Sequence, residues 1–300
     1  MSGDSTGISH SDSIETEDAQ HINAQRPARL DIMQVFRKGA SGNALQTRLY
    51  IEPGEDWSER VFNISVNKAL RTRGKDAERV IEKELGQMLT KKVWTPVDVK
   101  SLPYDEKKRI NRSSMFLKEK FLASGEFENL KARLVAGGDQ QDESLYDDLS
   151  APTVGTSSVF TILSIAAFEN RKMSVIDITG AFLNADMDTG LPVHMRLDSK
   201  MSRIMMKLAP EHGQYTDAKG CIVVKLDKAL YGCAESAALW YENLRASFSA
   251  LGYTPNQYDI CVFNKHDEQG VQCTVAIHVD DLLITSVSSH MIEDLARGLT

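Results

Sequence analysis

The stretch Ile277-His278-Val279-Asp280-Asp281-Leu282-Leu283-Ile284-Thr285 sets two adjacent carboxylates inside an apolar run. An ionised carboxylate is costly to bury unless its charge is compensated, and neighbouring carboxylates repel each other. Apolar segments with the length and composition of strands, 271–279 and 282–287, flank the pair. The simplest prediction is a β-hairpin with Asp280 and Asp281 at or next to its turn.

The segments before this hairpin predict an α+β chain. Helical spacing of apolar residues predicts one helix from an N-cap at Asp76 to about Lys91, and another capped by Ser157 or Ser158. A third predicted helix carries Trp240, Leu244, Phe248 and Leu251 on one face. Predicted strands cover residues 115–121, 130–136, 173–178, 221–226 and 261–263, and the first two form a hairpin around Ser124-Gly125. Residues 180–184 are typical of a turn entering a helix.

Three regions are predicted along the chain. Residues 1–30 contain almost no large apolar side chains, so we expect a disordered tail. Residues 31–66 carry apolar residues without periodicity and are expected to form a linker of uncertain structure. Residues 67–300 hold the periodic segments and are expected to form the main domain.

Composition is typical of a soluble globular protein, with 42% hydrophobic and 26% charged residues. No apolar run reaches the length of a membrane span, and the N-terminus lacks an apolar signal core. We therefore expect a soluble intracellular protein without a membrane partner. The cysteines, which are Cys221, Cys233, Cys261 and Cys273, form no CxxC pair and are expected to be reduced thiols. The net charge of −7 still permits a local basic nucleic-acid surface.

A third carboxylate, Asp177, closes the predicted strand 173–178. Together with Asp280 and Asp281 it could converge on one edge of a sheet. Carboxylate oxygens suit Mg²⁺ or Mn²⁺, and two such ions roughly 4 Å apart stabilise attacking and leaving oxygens in phosphoryl transfer. The alternative is that Asp280-Asp281 is merely a polar turn.

Several stretches, in order, resemble the reverse transcriptase domain of copia-type LTR retrotransposons. They are Lys131-Ala132-Arg133-Leu134-Val135-Ala136, Ala151-Pro152-Thr153-Val154, Asp177-Ile178-Thr179-Gly180-Ala181-Phe182-Leu183, Lys225-Leu226 through Ala229-Leu230-Tyr231-Gly232, and Val279-Asp280-Asp281-Leu282-Leu283. The resemblance implies a right-hand polymerase with fingers mostly before Asp177. An antiparallel palm sheet packed on helices would carry the carboxylates. The thumb is expected to be missing or truncated.

The resemblance also implies residue roles. Asp177 would bind both metal ions, and Asp280 would be the second metal-binding aspartate. Asp281 would be its catalytic companion with a less direct metal contact, and the backbone carbonyl of Ile178 would complete the nucleotide-side metal. Phe182 occupies the place of the aromatic residue that excludes a ribose 2′-hydroxyl. Its alternative is a core aromatic that opens a helix.

Two basic residues alternate with Ala132 on one predicted strand, so that Lys131 and Arg133 should share a face. The resemblance implies that these cations hold the triphosphate of a dNTP. From the residues alone, an ordinary solvated face is the alternative. His278 is expected to support the acidic pair by stacking or hydrogen bonding, because Mg²⁺ prefers oxygen ligands.

The implied function is RNA-directed DNA polymerisation with two Mg²⁺ or Mn²⁺ ions, dNTPs, an RNA template and a DNA primer. Further implied partners are polyprotein products such as integrase and ribonuclease H. The expected location is the cytoplasm, with a virus-like particle or the nucleus as alternatives. The family's Lys-Gln and Pro-Arg pairs are replaced here by Cys233-Ala234-Glu235-Ser236-Ala237-Ala238-Leu239. This departure favours a rival, an inactive relic that binds nucleic acid or a partner protein.

One further motif resembles a different enzyme class. Asp188-Thr189-Gly190 matches the catalytic triplet of retroviral-type aspartic proteases. Such triplets normally lie in a strongly apolar strand, whereas Asn184-Ala185-Asp186-Met187 precedes this one. The sequence therefore disfavours a protease.

Overall fold

The computed structural model describes residues 63–121, 126–146 and 148–299. The predicted tail 1–30, most of the predicted linker 31–66 and the predicted turn at Ser124-Gly125 lie outside these ranges. The described part of the linker forms a short strand and the first residue of a helix. None of the helices in the described ranges has the length and apolar content needed to cross a membrane.

The described residues confirm the α+β class. The helices are α1 (Val66–Thr90), α2 (Tyr104–Lys108), α3 (Thr156–Phe168), α4 (Ser199–Leu208), α5 (Ser236–Ala250) and α6 (Ser289–Gly298). The strands are β1 (Asn63–Ser65), β2 (Trp94–Val97), β3 (Asn111–Phe121), β4 (Phe127–Ala136), β5 (Lys172–Asp177), β6 (His194–Leu197), β7 (Ile222–Leu226), β8 (Thr254–Pro255), β9 (Val262–His266), β10 (Gln272–His278) and β11 (Asp281–Ser286).

These strands form two sheets. The first sheet has the order β1-β3-β6-β7-β2, with β4 paired to β3, and the second has the order β5-β11-β10-β9-β8. Of the described strand pairs, only β3 with β6 is parallel. Each sheet has its own apolar cluster, to which α1 and α4 contribute in the first and α3, α5 and α6 in the second.

Helix α1 begins earlier than predicted. Its N-cap is Ser65, whose Oγ accepts a hydrogen bond from the Lys68 N–H at 3.4 Å. Gly74, with φ of 48°, interrupts the helical geometry. The segment after this kink is the helix that was predicted from an N-cap at Asp76, and α1 adds a further helical segment before it.

The predictions around α3 and β5 need two corrections. Helix α3 has Gly155 as its N-cap, so Ser157 and Ser158 lie in the first turn instead of capping it. The turn at residues 180–184 is a short 3₁₀ helix, Ala181–Asn184, and no longer helix follows before β6. The chain is held extended there because the Ala229 N–H donates to the Ala185 carbonyl at 2.9 Å.

Helix α5 and the cysteines agree with the predictions. Trp240, Leu244 and Phe248 are buried together, and Leu251 lies just beyond the helix end. The Phe248 ring stacks on Phe263 of β9, with centroids 5.0 Å apart, so the helix is anchored on the second sheet. The four cysteines are free thiols.

Candidate active site

The acidic pair lies at the tip of the predicted hairpin. Strands β10 and β11 pair antiparallel, His278 opposes Asp281, and Val279 with Asp280 forms the two-residue loop. Val279 has φ of 59°, a left-handed conformation that costs a β-branched residue about 1–3 kcal/mol. The Trp240 Nε1–H donates to the Val279 carbonyl at 2.7 Å, so α5 helps to hold this strained tip.

Strand β5 brings the third carboxylate to the same edge. Asp177 is the register partner of Asp281, and the Ile178 N–H donates to the Asp280 carbonyl at 2.9 Å. This bonding pattern makes Asp177 and Asp281 a non-hydrogen-bonded pair, in which Cα atoms are about 4.5 Å apart and side chains come closest. The three aspartates therefore gather at one end of the second sheet, as predicted.

Their mutual repulsion contributes to a raised pKa of Asp281. Burial raises the pKa of this carboxyl most, the charges of Asp280 and Asp177 raise it further, and His278 opposes them. Like charges directly opposite each other destabilise a sheet. The end of the sheet thus carries negative charge that would attract a cation.

The donor atoms fit a divalent metal ion in kind. Among the described residues, no group of three or more His, Cys, Asp or Glu side chains is gathered closely enough to hold a metal ion. The carboxylates of Asp177 and Asp280 and the carbonyl of Ile178 are nevertheless the hard oxygen donors that Mg²⁺ and Mn²⁺ prefer. A divalent cation would also offset the repulsion felt by Asp281.

His278 lies next to the acidic pair. It is the register partner of Asp281, while Asp280 lies in the hairpin loop. His278 Nδ1 is buried without a hydrogen-bond partner.

Phe182 lies in the 3₁₀ helix after β5 and contacts Tyr231, which lies in the connection between β7 of the first sheet and α5. The Phe182 and Tyr231 ring centroids are 4.5 Å apart at 55°. Burial raises the pKa of Tyr231, and the nearby charges of Asp280, Glu84 and Asp177 add to this effect, whereas Arg133 opposes it. Tyr231 therefore contacts Phe182 and lies near Asp177 and Asp280.

The two predicted cations share one face of β4. Ala132 between them is buried, while both Lys131 and Arg133 act on Glu84 of α1. Burial raises the pKa of Glu84, and its Oε1 accepts a hydrogen bond from the Leu134 N–H at 3.0 Å, which with the two cations acts to lower that pKa. The shared face is thus confirmed.

Arg133 is linked to the carboxylate edge through Tyr231. The Arg133 guanidinium carbon lies 4.3 Å from the Tyr231 ring centroid, and Tyr231 lies near Asp177 and Asp280. Lys131 is exposed, faces Lys118 in the β3–β4 register and acts on Glu84.

Three contacting residues escaped the sequence reasoning. Tyr231 belongs to one of the stretches that carry the family resemblance, and Trp240 belongs to a predicted helix. Their contacts were not predicted, because they depend on packing between elements that are distant in the sequence. Glu84 follows the buried Ile81 by three positions, which places a carboxylate near the apolar face of α1. That position was the available signal for Glu84.

The segment that departs from the family pattern contains a buried acid. Glu235 is 2% exposed, and its Oε2 accepts a hydrogen bond from Gln141 Nε2 at 2.9 Å. Its other oxygen, Oε1, is buried without a partner. Gln141 Oε1 in turn accepts from the Ala234 N–H at 2.8 Å. A carboxylate is thus built into the connection that follows Tyr231.

Two other features lie apart from this site. Asp188-Thr189-Gly190 belongs to the loop between the 3₁₀ helix and β6, with Asp188 exposed, which does not fit a protease triplet in a buried strand.

A cleft of about 470 Å³ lies between α3 and the second sheet, and none of the predicted site residues lines it.

Comparisons with known proteins give the family. The chain matches the family described as Reverse transcriptase (RNA-dependent DNA polymerase) over residues 91–300. It is 28% identical over 171 residues to the Retrovirus-related Pol polyprotein from transposon TNT 1-94 of Nicotiana tabacum, covering 57% of this chain and 12% of that protein. It is 29% identical over 232 residues to the Transposon Ty1-LR2 Gag-Pol polyprotein of Saccharomyces cerevisiae, covering 74% of this chain and 11% of that protein.

These relatives are polyproteins, of which the matched regions form 12% and 11%. The family match covers more than two thirds of the chain and includes Lys131, Arg133 and all three aspartates. The chain belongs to the reverse transcriptase family, as a reverse transcriptase domain of the copia-type retrotransposons.

Proposed function

We propose that the chain is an RNA-directed DNA polymerase that transfers nucleotides from dNTPs to a primer 3′ end. The observation that carries this proposal is the placement of Asp177 opposite Asp281, with Asp280 in the hairpin loop, in a member of the reverse transcriptase family. The second sheet would be the palm, and the first sheet, with the β3–β4 hairpin, would be the fingers.

The carboxylates of Asp177 and Asp280 and the carbonyl of Ile178 would hold two Mg²⁺ or Mn²⁺ ions, with Asp281 beside them. Such ions supply charge neutralisation at the attacking and leaving oxygens. In the reaction the primer 3′ oxygen forms a bond to the α-phosphorus of the dNTP, and pyrophosphate leaves. The chain's own contribution is to position these groups.

The neighbouring side chains would select the nucleotide. Arg133, and Lys131 on the same face of β4, would bind the triphosphate through charge-assisted hydrogen bonds. The Phe182 ring would occupy the space that a ribose 2′-hydroxyl needs. Its packing against Tyr231 supports this role, because a ring held in place can exclude a hydroxyl.

The proposed partners follow from the same reaction. An RNA template and a DNA primer would lie across the second sheet's acidic end and the basic β3–β4 hairpin. Because the relatives are named as Pol and Gag-Pol polyproteins, integrase and ribonuclease H made from the same polyprotein are proposed as further partners.

A second candidate is a catalytically inactive relic that binds nucleic acid or a protein. The observation in its favour is Glu235, which puts a buried carboxylate where the resemblance leads one to expect polar and basic groups. The intact set of Asp177, Asp280, Asp281 and Phe182 favours the polymerase.

Primer extension separates the two candidates. The assay uses an RNA template, a DNA primer, dNTPs, Mg²⁺ or Mn²⁺ and the 300-residue chain. Incorporation that Asp280→Ala abolishes supports the polymerase. Incorporation no higher than that of Asp280→Ala would reject it. RNA binding that weakens steeply with salt would then identify the binding relic.

A further inference from the structure

Tyr231 contacts two residues of the proposed nucleotide site that come from different sheets. The Arg133 guanidinium carbon lies 4.3 Å from its ring centroid, and the Phe182 ring centroid lies 4.5 Å from it. Arg133 belongs to β4 of the first sheet, and Phe182 follows β5 of the second. The tyrosine ring is thus a direct contact between the two halves of the site.

The backbone of Tyr231 is fixed to the strand that carries Arg133. The Ala136 N–H at the end of β4 donates to the Tyr231 carbonyl at 2.8 Å. Gly232, with φ of 93°, lies so close to β4 that a Cβ atom there would be 2.1 Å from the Ala136 oxygen. Movement of β4 would therefore carry Tyr231 with it.

Arg133 has an alternative partner on α1. Glu84 is close enough to Arg133 for the guanidinium to act on the pKa of Glu84. A guanidinium stacked on an aromatic face keeps its in-plane N–H groups available for phosphate oxygens. Without the ring, Arg133 could turn to Glu84 and leave the triphosphate.

We propose that Tyr231 is a positioning residue that couples Arg133 on the triphosphate to Phe182 on the sugar. This inference rests on the proposed function and deepens it. The ring fixes Arg133 for dNTP binding and fixes Phe182 for exclusion of the ribose 2′-hydroxyl. One side chain thus links nucleotide affinity to sugar selection.

Tyr231→Leu and Tyr231→Phe test the coupling in single-nucleotide extension. We expect Tyr231→Leu to raise the KM for dNTP about tenfold, the range of a lost cation–π contact, while kcat changes by less than about threefold. Its preference for dNTP over rNTP should fall by a similar factor. Tyr231→Phe keeps the ring and should restore both values. The control Tyr258→Leu removes a 98% exposed ring and should change neither.

A Tyr231→Leu variant that extends primers with unchanged KM and unchanged sugar preference would overturn the coupling while leaving the proposed function intact. A wild-type chain that incorporates nothing would reject the proposed function and the coupling together.

A thermal double-mutant cycle gives a readout besides activity. Arg133→Ala, Tyr231→Leu and the double variant are melted without nucleotide. We expect the sum of the two single-variant Tm losses to exceed the Tm loss of the double variant, because each single substitution removes the same contact. Strictly additive losses would overturn the stacking on which the coupling depends.

Discussion

Asp177 and Asp281 lie directly opposite each other on β5 and β11, at a position where antiparallel strands bring side chains closest. Two carboxylates in such a pair oppose the folding of the sheet that holds them. The sequence places a third, Asp280, in the adjoining loop. A protein under selection for stability alone would gain by replacing one of them, so the arrangement is best explained by a cation-dependent function.

The first prediction concerns the free energy of unfolding without divalent cations. Asp281→Asn should raise it at pH 7 by about 0.2–1 kcal/mol, because the variant removes one member of a like-charged pair. Solvent around the exposed Asp281 keeps the gain small. Urea unfolding in EDTA measures it. Asp188→Asn, at an exposed loop position, is the matched control and should change little. A loss of stability in Asp281→Asn would contradict the repulsion.

The pH dependence of this gain has a definite sign. The pKa of Asp281 is raised in the folded state, so the folded protein binds this proton more tightly than the unfolded chain does. The Asp281 carboxyl does not destabilise the fold below the pKa of an unfolded aspartate, about 3.9. Its destabilising effect develops as the pH rises from that value through the folded-state pKa of Asp281. The difference in unfolding free energy between Asp281→Asn and wild type should therefore grow between these two pKa values.

Local sequence patterns predicted part of this site, whereas the rest depends on contacts between residues that are distant in the sequence. The β10–β11 hairpin followed from apolar segments on both sides of Asp280-Asp281, because a hairpin is specified by adjacent residues. Convergence with Asp177 followed from its place at a strand end. The contact of Arg133 with Tyr231 joins β4 to the connection between β7 and α5, almost a hundred positions further along the chain. No periodicity or spacing in either segment encodes it.

Helix boundaries show the same limit. The apolar stripe after Gly74 predicted the second segment of α1. The first segment, which begins after the Ser65 cap, was missed because only Val66, Ala69 and Leu70 form its apolar face before the kink at Gly74. Likewise, the 3₁₀ helix carrying Phe182 was predicted as the entry to a longer helix. Its continuation is extended because pairing with Ala229 outweighs the local helix propensity.

The second prediction is that divalent cations stabilise the fold. Mg²⁺ or Mn²⁺ at ten times its dissociation constant should add about 1.4 kcal/mol to the free energy of unfolding, since a ligand that binds only the folded state stabilises it. Asp280→Asn should remove most of this gain. Thermal melts with and without EDTA measure it, and Asp188→Asn should respond as wild type does. A cation-induced rise in Tm that persists in Asp280→Asn would contradict the assignment.

The third prediction concerns sugar selection. Phe182→Val removes the ring that packs on Tyr231, and we expect the use of rNTP relative to dNTP to rise about 10- to 200-fold, the range for one apolar contact in a pocket. Extension with each nucleotide class measures the ratio. Phe160→Val, at an exposed position on α3, is the matched control. An unchanged ratio in Phe182→Val would assign this ring to the core alone.

The fourth prediction concerns the strained hairpin tip. Trp240→Phe keeps an aromatic ring in α5 but removes the donor to the Val279 carbonyl. We expect a loss of about 1–3 kcal/mol of unfolding free energy, as for a buried acceptor left unpaired, and a lower kcat because Asp280 adjoins Val279. Tyr241→Phe removes a comparable bond from α5, to the Ile260 carbonyl, and is the control. Equal kcat values in Trp240→Phe and Tyr241→Phe would show that the bond to the Val279 carbonyl does not affect catalysis.

The fifth prediction tests the close approach that fixes Tyr231. Gly232→Ala would place a Cβ 2.1 Å from the Ala136 oxygen and 2.5 Å from Val135 Cγ1, at φ of 93°. Gly270→Ala is the matched control, because Gly270 has φ of 79° but nothing within 4 Å of a Cβ. The positive φ alone costs about 1–2 kcal/mol, and steric overlap adds about 1–3 kcal/mol.

We therefore expect Gly232→Ala to unfold at a lower urea concentration than Gly270→Ala. In any folded fraction the displaced connection should pull Tyr231 away from Arg133 and Phe182. The KM for dNTP should then rise in Gly232→Ala and stay at the wild-type value in Gly270→Ala. Equal stability of the two variants would show that the Tyr231-Gly232 connection yields freely, and the ring could not then hold both partners in place.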